Sequence, residues 1–299
     1  MFPGANANGV THAADVPQEI AAVLVRSCYR EVAGDEPDDA TLRDRARRLA
    51  EDVRAAFPRM LHDVYGSASA RRLRAEQTLR AIGESFMRAR GASVRACVGA
   101  GLGAYTPWLL RVAGIARNES PFDRVRCTPR MLAHVLDDDF ETLLRTDDYE
   151  PVAAHANAPD GARAWDHVWY RERFGHARIV ARGDADGHDA DAELRSAVER
   201  FRATARSVPA TYVTVAPDAL LWEAGFEHVS RALRAYAPFT RLVYVVVRAC
   251  GTPLPVLVRA HEDDGHVLYE LRATSTWHPR GFENVLDDVE LLTAVLERL

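Results

Sequence analysis

Three glycines at alternate positions, Gly99, Gly101 and Gly103, have the spacing that most directly suggests chemistry in this chain. They lie in CVGAGLGAYTPWLLRVAG (97–114). After a strand, glycines at that spacing let the backbone approach a nucleotide at the start of a helix. In a buried helix, small residues at the same positions equally let a neighbouring helix come close. Other chemistry is thinly represented. The four cysteines, Cys28, Cys97, Cys127 and Cys250, form no CxxC pair and read as free thiols of an intracellular protein. There is no GxSxG or HExxH string. His261 and His266 flank EDDG without a third ligand at useful spacing, and read as surface residues. His155, Asp166, His167 and His176 share one irregular segment. Asp184 and Asp186 begin a calcium-like loop, but His188 and Asp189 break its order, so it reads as a solvated acidic loop. Arg182-Gly183-Asp184 spells an integrin tripeptide, which an intracellular chain has only by chance. These residue types predict no catalytic set and no metal site.

Composition narrows the classes further. The chain has 299 residues, and all 38 of its Lys+Arg cations are arginine. Without lysine there is no Schiff base, no Walker-type phosphate lysine and no internal ubiquitin acceptor. Two compatible causes stand: the codon bias of a GC-rich genome, and selection to evade ubiquitination in a host cytosol. The net charge of −5, with arginines scattered among carboxylates, argues against a nucleic-acid footprint. The opening MFPGANANGVTHAADV has no basic and then apolar stretch, so no secretory signal is expected.

The elements that must position any site follow from periodicity. Apolar residues at helical spacing predict helices over 17–33, 39–65 and 70–89, with Pro58 kinking or splitting the second. Ala96 to Leu110 carries no charge and is shorter than the about 20 residues that span a bilayer. It reads as a helix buried at the centre of a bundle. One or more further helices cover 122–156. Beyond that the period changes. A charged helix fits 189–206, and TYVTV, RLVYVVVRAC, LPVLVRAH and HVLYELRAT read as strands, the last three as a meander. Helices fit 222–237 and 282–298. Trp165, Trp169 and Tyr170 are expected to be exposed, serving either a partner interface or a plug between domains.

The helical half resembles the Bcl-2 family, in which amphipathic helices surround one hydrophobic helix and a groove takes a partner BH3 helix. ARRLAEDV (46–53) is similar to a BH3 segment, and DDDFETLLRTDDYEPV (137–152) to the BH2 region. Phe86, Gly91, Arg95 and the run through Leu102 and Tyr105 follow the order of BH1, with Ala92, Ser93 and Val94 where that family has Asn-Trp-Gly. The resemblance implies that Arg95 pairs with a partner's aspartate, that Phe86, Val98 and Leu102 line the groove, and that Tyr149 stands where BH2 has a tryptophan.

The glycine stretch also resembles the first motif of S-adenosylmethionine-dependent methyltransferases. PFDRVRCTPRMLAHVLDDDFETLLR (121–145) is similar to a later segment of the same enzymes. This resemblance implies a cofactor over Gly99, Gly101 and Gly103, with Glu119 as the only acidic candidate for the ribose; Cys97 replaces the acidic residue expected before the glycines. The string SPFDRVRC is in turn similar to part of a herpesvirus tegument protein family, which implies a structural, assembly-type role.

Taken together, the expected fold is an all-α, Bcl-2-like helical bundle followed by a smaller α+β domain with an antiparallel meander. The expected boundaries are a disordered lead over 1–16, the bundle over 17–156 and the α+β domain over 157–299. The expected function is non-enzymatic: a modulator in the host cytoplasm, without cofactor or membrane span, that binds helical segments of apoptotic or innate-signalling proteins. The alternatives are a methyltransferase, active or decayed, and a tegument-like assembly protein.

Overall fold

The computed structural model describes residues 17–91, 95–116, 119–123, 125–152, 163–174, 178–181, 188–207, 209–216, 222–249, 252–278 and 281–299. Ala92, Ser93, Val94, His155, His176, Arg182, Gly183, Asp184, Asp186 and Cys250 lie outside them. Two compact units divide the chain at Arg74 and Ala75.

In the first unit, α1 (Gln18–Ala33), α2 (Asp39–Glu51) and α3 (Val53–Tyr65) lead to α4 (Ala68–Arg90), which carries the chain into the second unit. Helix α1 stops at Gly34, whose left-handed φ of 67° suits glycine. The expected single helix over 39–65 breaks at Asp52 and runs on through Pro58. The Asp52 carboxylate accepts the amide of Ala55 at 3.1 Å, so it caps a new helix where the old one ends. Val25, Leu49 and Val64 are among the residues that close the small core of this unit.

In the second unit the chain runs β1 (Ala96–Gly99), α5 (Tyr105–Val112), β2 (Val125–Arg126), α6 (Pro129–Asp137), β3 (Tyr149–Val152), β4 (Arg163–His167), α7 (Val168–Phe174), β5 (Arg178–Ala181) and α8 (His188–Ser207). It continues through β6 (Ala210–Ala216), α9 (Trp222–Tyr236), β7 (Arg241–Ala249), β8 (Val256–Asp263), β9 (His266–Ala273), β10 (Trp277–His278), β11 (Gly281–Phe282) and α10 (Val285–Leu296). The main sheet has the order β1-β6-β7-β9-β8, parallel from β1 to β9 and antiparallel only at β8. Strands β2, β5, β4 and β3 make a second, antiparallel sheet.

This architecture overturns the expected helical bundle with a small meander. Residues 96–99 form a strand paired in parallel with Ala210–Val213, so one sheet joins residues on both sides of position 156. The reason lies in the glycines. Each costs about 1 kcal/mol against alanine in a helix interior, and three within five residues outweigh the apolar run. The meander fails for a different reason. Strand β9 is buried along most of its length and takes the interior place beside β7, while β8 is exposed and is left at the edge. The two-residue Asp264-Gly265 turn, with φ of 46° and 79°, closes their hairpin.

Side chains alternate across the sheet. Tyr212, Leu242, Tyr244 and Leu268 face a core shared with α6, α8 and α9. Val213, Val243, Val245 and Leu271 face the opposite core, shared with α5 and α10. Tyr170, expected at the surface, is buried in the first core, and Trp169 meets it edge to face with its centroid 4.8 Å from that of His134. Among the described residues no helix is long and apolar enough to cross a membrane.

Candidate functional site

The turn between β1 and α5 sits where an open α/β sheet would hold a ligand. On one side Cys97 bridges Ala116, where the chain returns from α5; on the other it pairs with Thr211 of β6. The sheet order therefore reverses at β1, and ligands of such sheets bind beyond the carboxyl ends of the strands at that reversal. The Ala100 amide donates to Val213 O at 2.8 Å, and Thr214 Oγ1 donates to Ala100 O at 2.6 Å, so the turn is held firmly against β6.

What fills this turn is the chain itself. A Cβ on Gly99 would stand 2.7 Å from Asp123 Oδ1, and one on Gly101 would stand 2.9 Å from Thr106 Cβ. Gly103 faces open space. Asp123 is held by the amide of Ser120, which donates to Oδ2 at 3.1 Å. The Cys127 thiol lies 3.8 Å from Gly101 O. The glycine triplet and SPFDRVRC, which suggested different families, thus pack on one another. Burial pushes the thiols of Cys97 and Cys127 up to about 12, which leaves both protonated and poorly nucleophilic near neutral pH. Glu119 is not brought to the turn; it lies 3.7 Å from Arg111, near the far end of α5.

Behind the turn is a group that pattern reading missed. Tyr105, the first residue of α5, donates its hydroxyl to Asp288 Oδ1 at 2.8 Å. The Phe282 amide also donates to the Asp288 carboxyl. Tyr105 forms aromatic pairs with Trp108, Trp277 and Phe282. Burial raises the Asp288 carboxyl to about 7, against the two hydrogen bonds and with a contribution from Asp287. Asp287 accepts from the amides and hydroxyls of both Thr274 and Ser275, which ties the start of α10 to the end of β9. The only sequence signal was Asp-Asp in the first turn after the capping Asn284.

The residues expected to line a partner groove do not converge. Phe86 packs into the core beneath α5 and α10, while Val98 and Leu102 pack into the core on the other face of the sheet. Arg95 lies near Arg241, whose guanidinium is disfavoured by burial and by that like charge. Tyr149 donates to Leu143 O at 2.5 Å and meets the His167 ring edge to face. His266 proves to be buried with its ring 2.8 Å from Ser230 Oγ, whereas His261 is exposed. Among the described residues no three His, Cys, Asp or Glu side chains converge to hold a metal.

No known protein family, no curated protein and no solved structure matches the chain.

Proposed function

We propose that this protein acts by binding other proteins, and that it takes helical segments of host apoptotic or innate-signalling proteins on the outer face of α1. The observation that carries the binding reading is the closure of the glycine turn by Asp123 and Thr106, which leaves the space over Gly99 and Gly101 to the chain's own atoms. The face is supplied by Ile20, Val23 and Leu24, at i, i+3 and i+4 and all exposed, opposite the buried Ala21, Val25 and Cys28. Apolar residues at that spacing are what an amphipathic partner helix reads. The absence of lysine supports a host cytosol as the working place, since the chain offers no internal ubiquitin acceptor.

The test is calorimetric titration of the full chain with a panel of helical peptides, BH3 segments included. At least one peptide binds, and Val23→Glu combined with Leu24→Glu abolishes that binding with the unfolding midpoint unchanged. Failure of every peptide, or binding indifferent to the double variant, sinks this reading.

One observation favours a second reading. Residues 96–112 form a strand, a glycine turn and a helix beside a parallel neighbour, the framework an S-adenosylmethionine site uses. Thermal unfolding in the presence of that cofactor tests it. A binder present at about a hundred times its Kd stabilises by about 2.7 kcal/mol, and no shift at millimolar cofactor removes the reading.

A further inference from the structure

Beyond the α1 face, the second unit carries an open groove between its edge strand and its last helix. Pro255, Val256 and Leu257 form one wall, and Glu290, Thr293 and Glu297 of α10 form the other, around a space of about 560 Å³. Among the described residues no strand pairs with the outer edge of β8. Its backbone donors and acceptors there are available to an added strand. Leu257 packs toward the core beneath α10, while Val256 and Val258, which alternate with it, are 43% and 39% exposed. Leu254, just before the strand, is 62% exposed.

The end of the groove is closed by charge. Arg298 grips Glu262 with both nitrogens, at 2.7 and 3.0 Å, and Arg259 reaches the same carboxylate at 2.6 Å. These guanidiniums hold Glu262 down at about 2. A bulge between Arg259 and His261 interrupts the ladder at the same place. Bulges, charges and prolines are what protect an edge from unwanted pairing, so 256–258, between Pro255 and the bulge, is the part left open. The two arginines are spent on Glu262. Glu290 and Glu297 are not: they form no ion pair among the described residues. At seven residues apart they lie on one helix face, separated by about 10 Å along the axis at the helical rise of about 1.5 Å per residue.

We propose that this groove takes an extended basic segment of a partner protein, which adds a strand to β8. Its arginine or lysine side chains face Glu290 and Glu297, and its intervening apolar side chains cover Val256 and Val258. The charge of the α10 wall selects a basic occupant over an acidic one. The free backbone of β8 selects an extended occupant over a helical one.

Fluorescence anisotropy of the full chain tests this with a labelled octapeptide alternating valine and arginine. Its comparators are a valine–glutamate octapeptide and the basic octapeptide N-methylated at alternate amides. The basic peptide is expected to bind about tenfold more tightly than either comparator, and Glu290→Gln with Glu297→Gln to weaken it about tenfold. Val23→Glu with Leu24→Glu leaves it unchanged, which separates this groove from the α1 face. Glu297 is exposed and Glu290 half-buried, so Glu297→Gln alone gives a smaller loss of the same sign if the double variant is poorly folded. Equal binding of basic and acidic peptides, indifference to the glutamine variants, undiminished binding after N-methylation, or no binding of the basic peptide overturns the proposal.

Discussion

The glycine turn at 99–103 and the groove beside β8 differ in what occupies them. The turn has the residue spacing of a ligand site, and Asp123 and Thr106 fill the space over two of its three glycines. The groove has no motif, yet among the described residues it stands open between an exposed strand and a partly exposed helix wall. A short motif reports what the backbone requires locally. It does not report whether a ligand or the chain itself meets that requirement.

The contrast is broken most forcefully at Gly99. If the turn is a packing device, Gly99→Val drives its side chain onto the Asp123 carboxylate and costs about 3 kcal/mol of stability, the upper range for overpacking. Adding Asp123→Ala recovers part of that loss, because the two sites share one contact. Chemical denaturation of the two single variants and the double variant measures it. If Gly99→Val leaves stability intact, the space is free and the cofactor reading gains.

A pH-dependent effect separates the two cores. Asp288 is held near 7 when folded, above its ordinary carboxylate value, so its contribution to stability falls as pH rises from about 4 to about 7. His266 is held near 4, mainly by burial and then by the Arg234 charge, below its ordinary value. Its contribution is complete above about 6.5 and is lost as pH falls toward about 4. The two slopes oppose one another, each with a limit of about 1.4 kcal/mol per pH unit. Asp288→Asn therefore leaves stability rising with pH across this window, and His266→Gln leaves it falling. Urea unfolding at several pH values reads both. Identical profiles for wild type and both variants would falsify the assignment.

The smallest effect belongs to the groove. Glu297 stands at the carboxyl end of α10, where a negative charge is unfavourable. Glu297→Gln is neutral or raises stability by about 0.3 kcal/mol, as a thermal melt shows, while it weakens the basic peptide. A large stability loss there means that the groove wall is structural.

Much of the element pattern was legible in the residues. Ile20, Val23, Leu24, Cys28 and Val32 at helical spacing marked α1 as a helix, although Ile20, Val23 and Leu24 lie exposed and Val25 takes the buried face, and TYVTV, RLVYVVVRAC and HVLYELRAT marked β6, β7 and β9 as strands. The stretch from Ala96 to Leu110 was misread because hydrophobic content is the same for a buried helix and for a strand leading into a helix. The order of β8 and β9 was misread because nearest-neighbour hairpins say which strands pair but not which of them faces outward. Asp123 and Asp288 were passed over because their partners, Gly99 and Tyr105, are distant in sequence or belong to another element.

By itself the sequence determined that this chain has no lysine chemistry, that residues 18–65 fold as amphipathic helices and that its second half contains strands. Those properties follow from residue type and from periods of 3.6 and 2, which need no partner elsewhere in the chain. Only the tertiary structure decided that β1 joins a sheet more than a hundred residues away, that the glycine turn closes on SPFD, and that, among the described residues, β8 is left with an open edge. Each of these depends on which surfaces compete for burial. That competition is settled by the apolar area removed from water over the whole unit, and no local stretch of residues contains it.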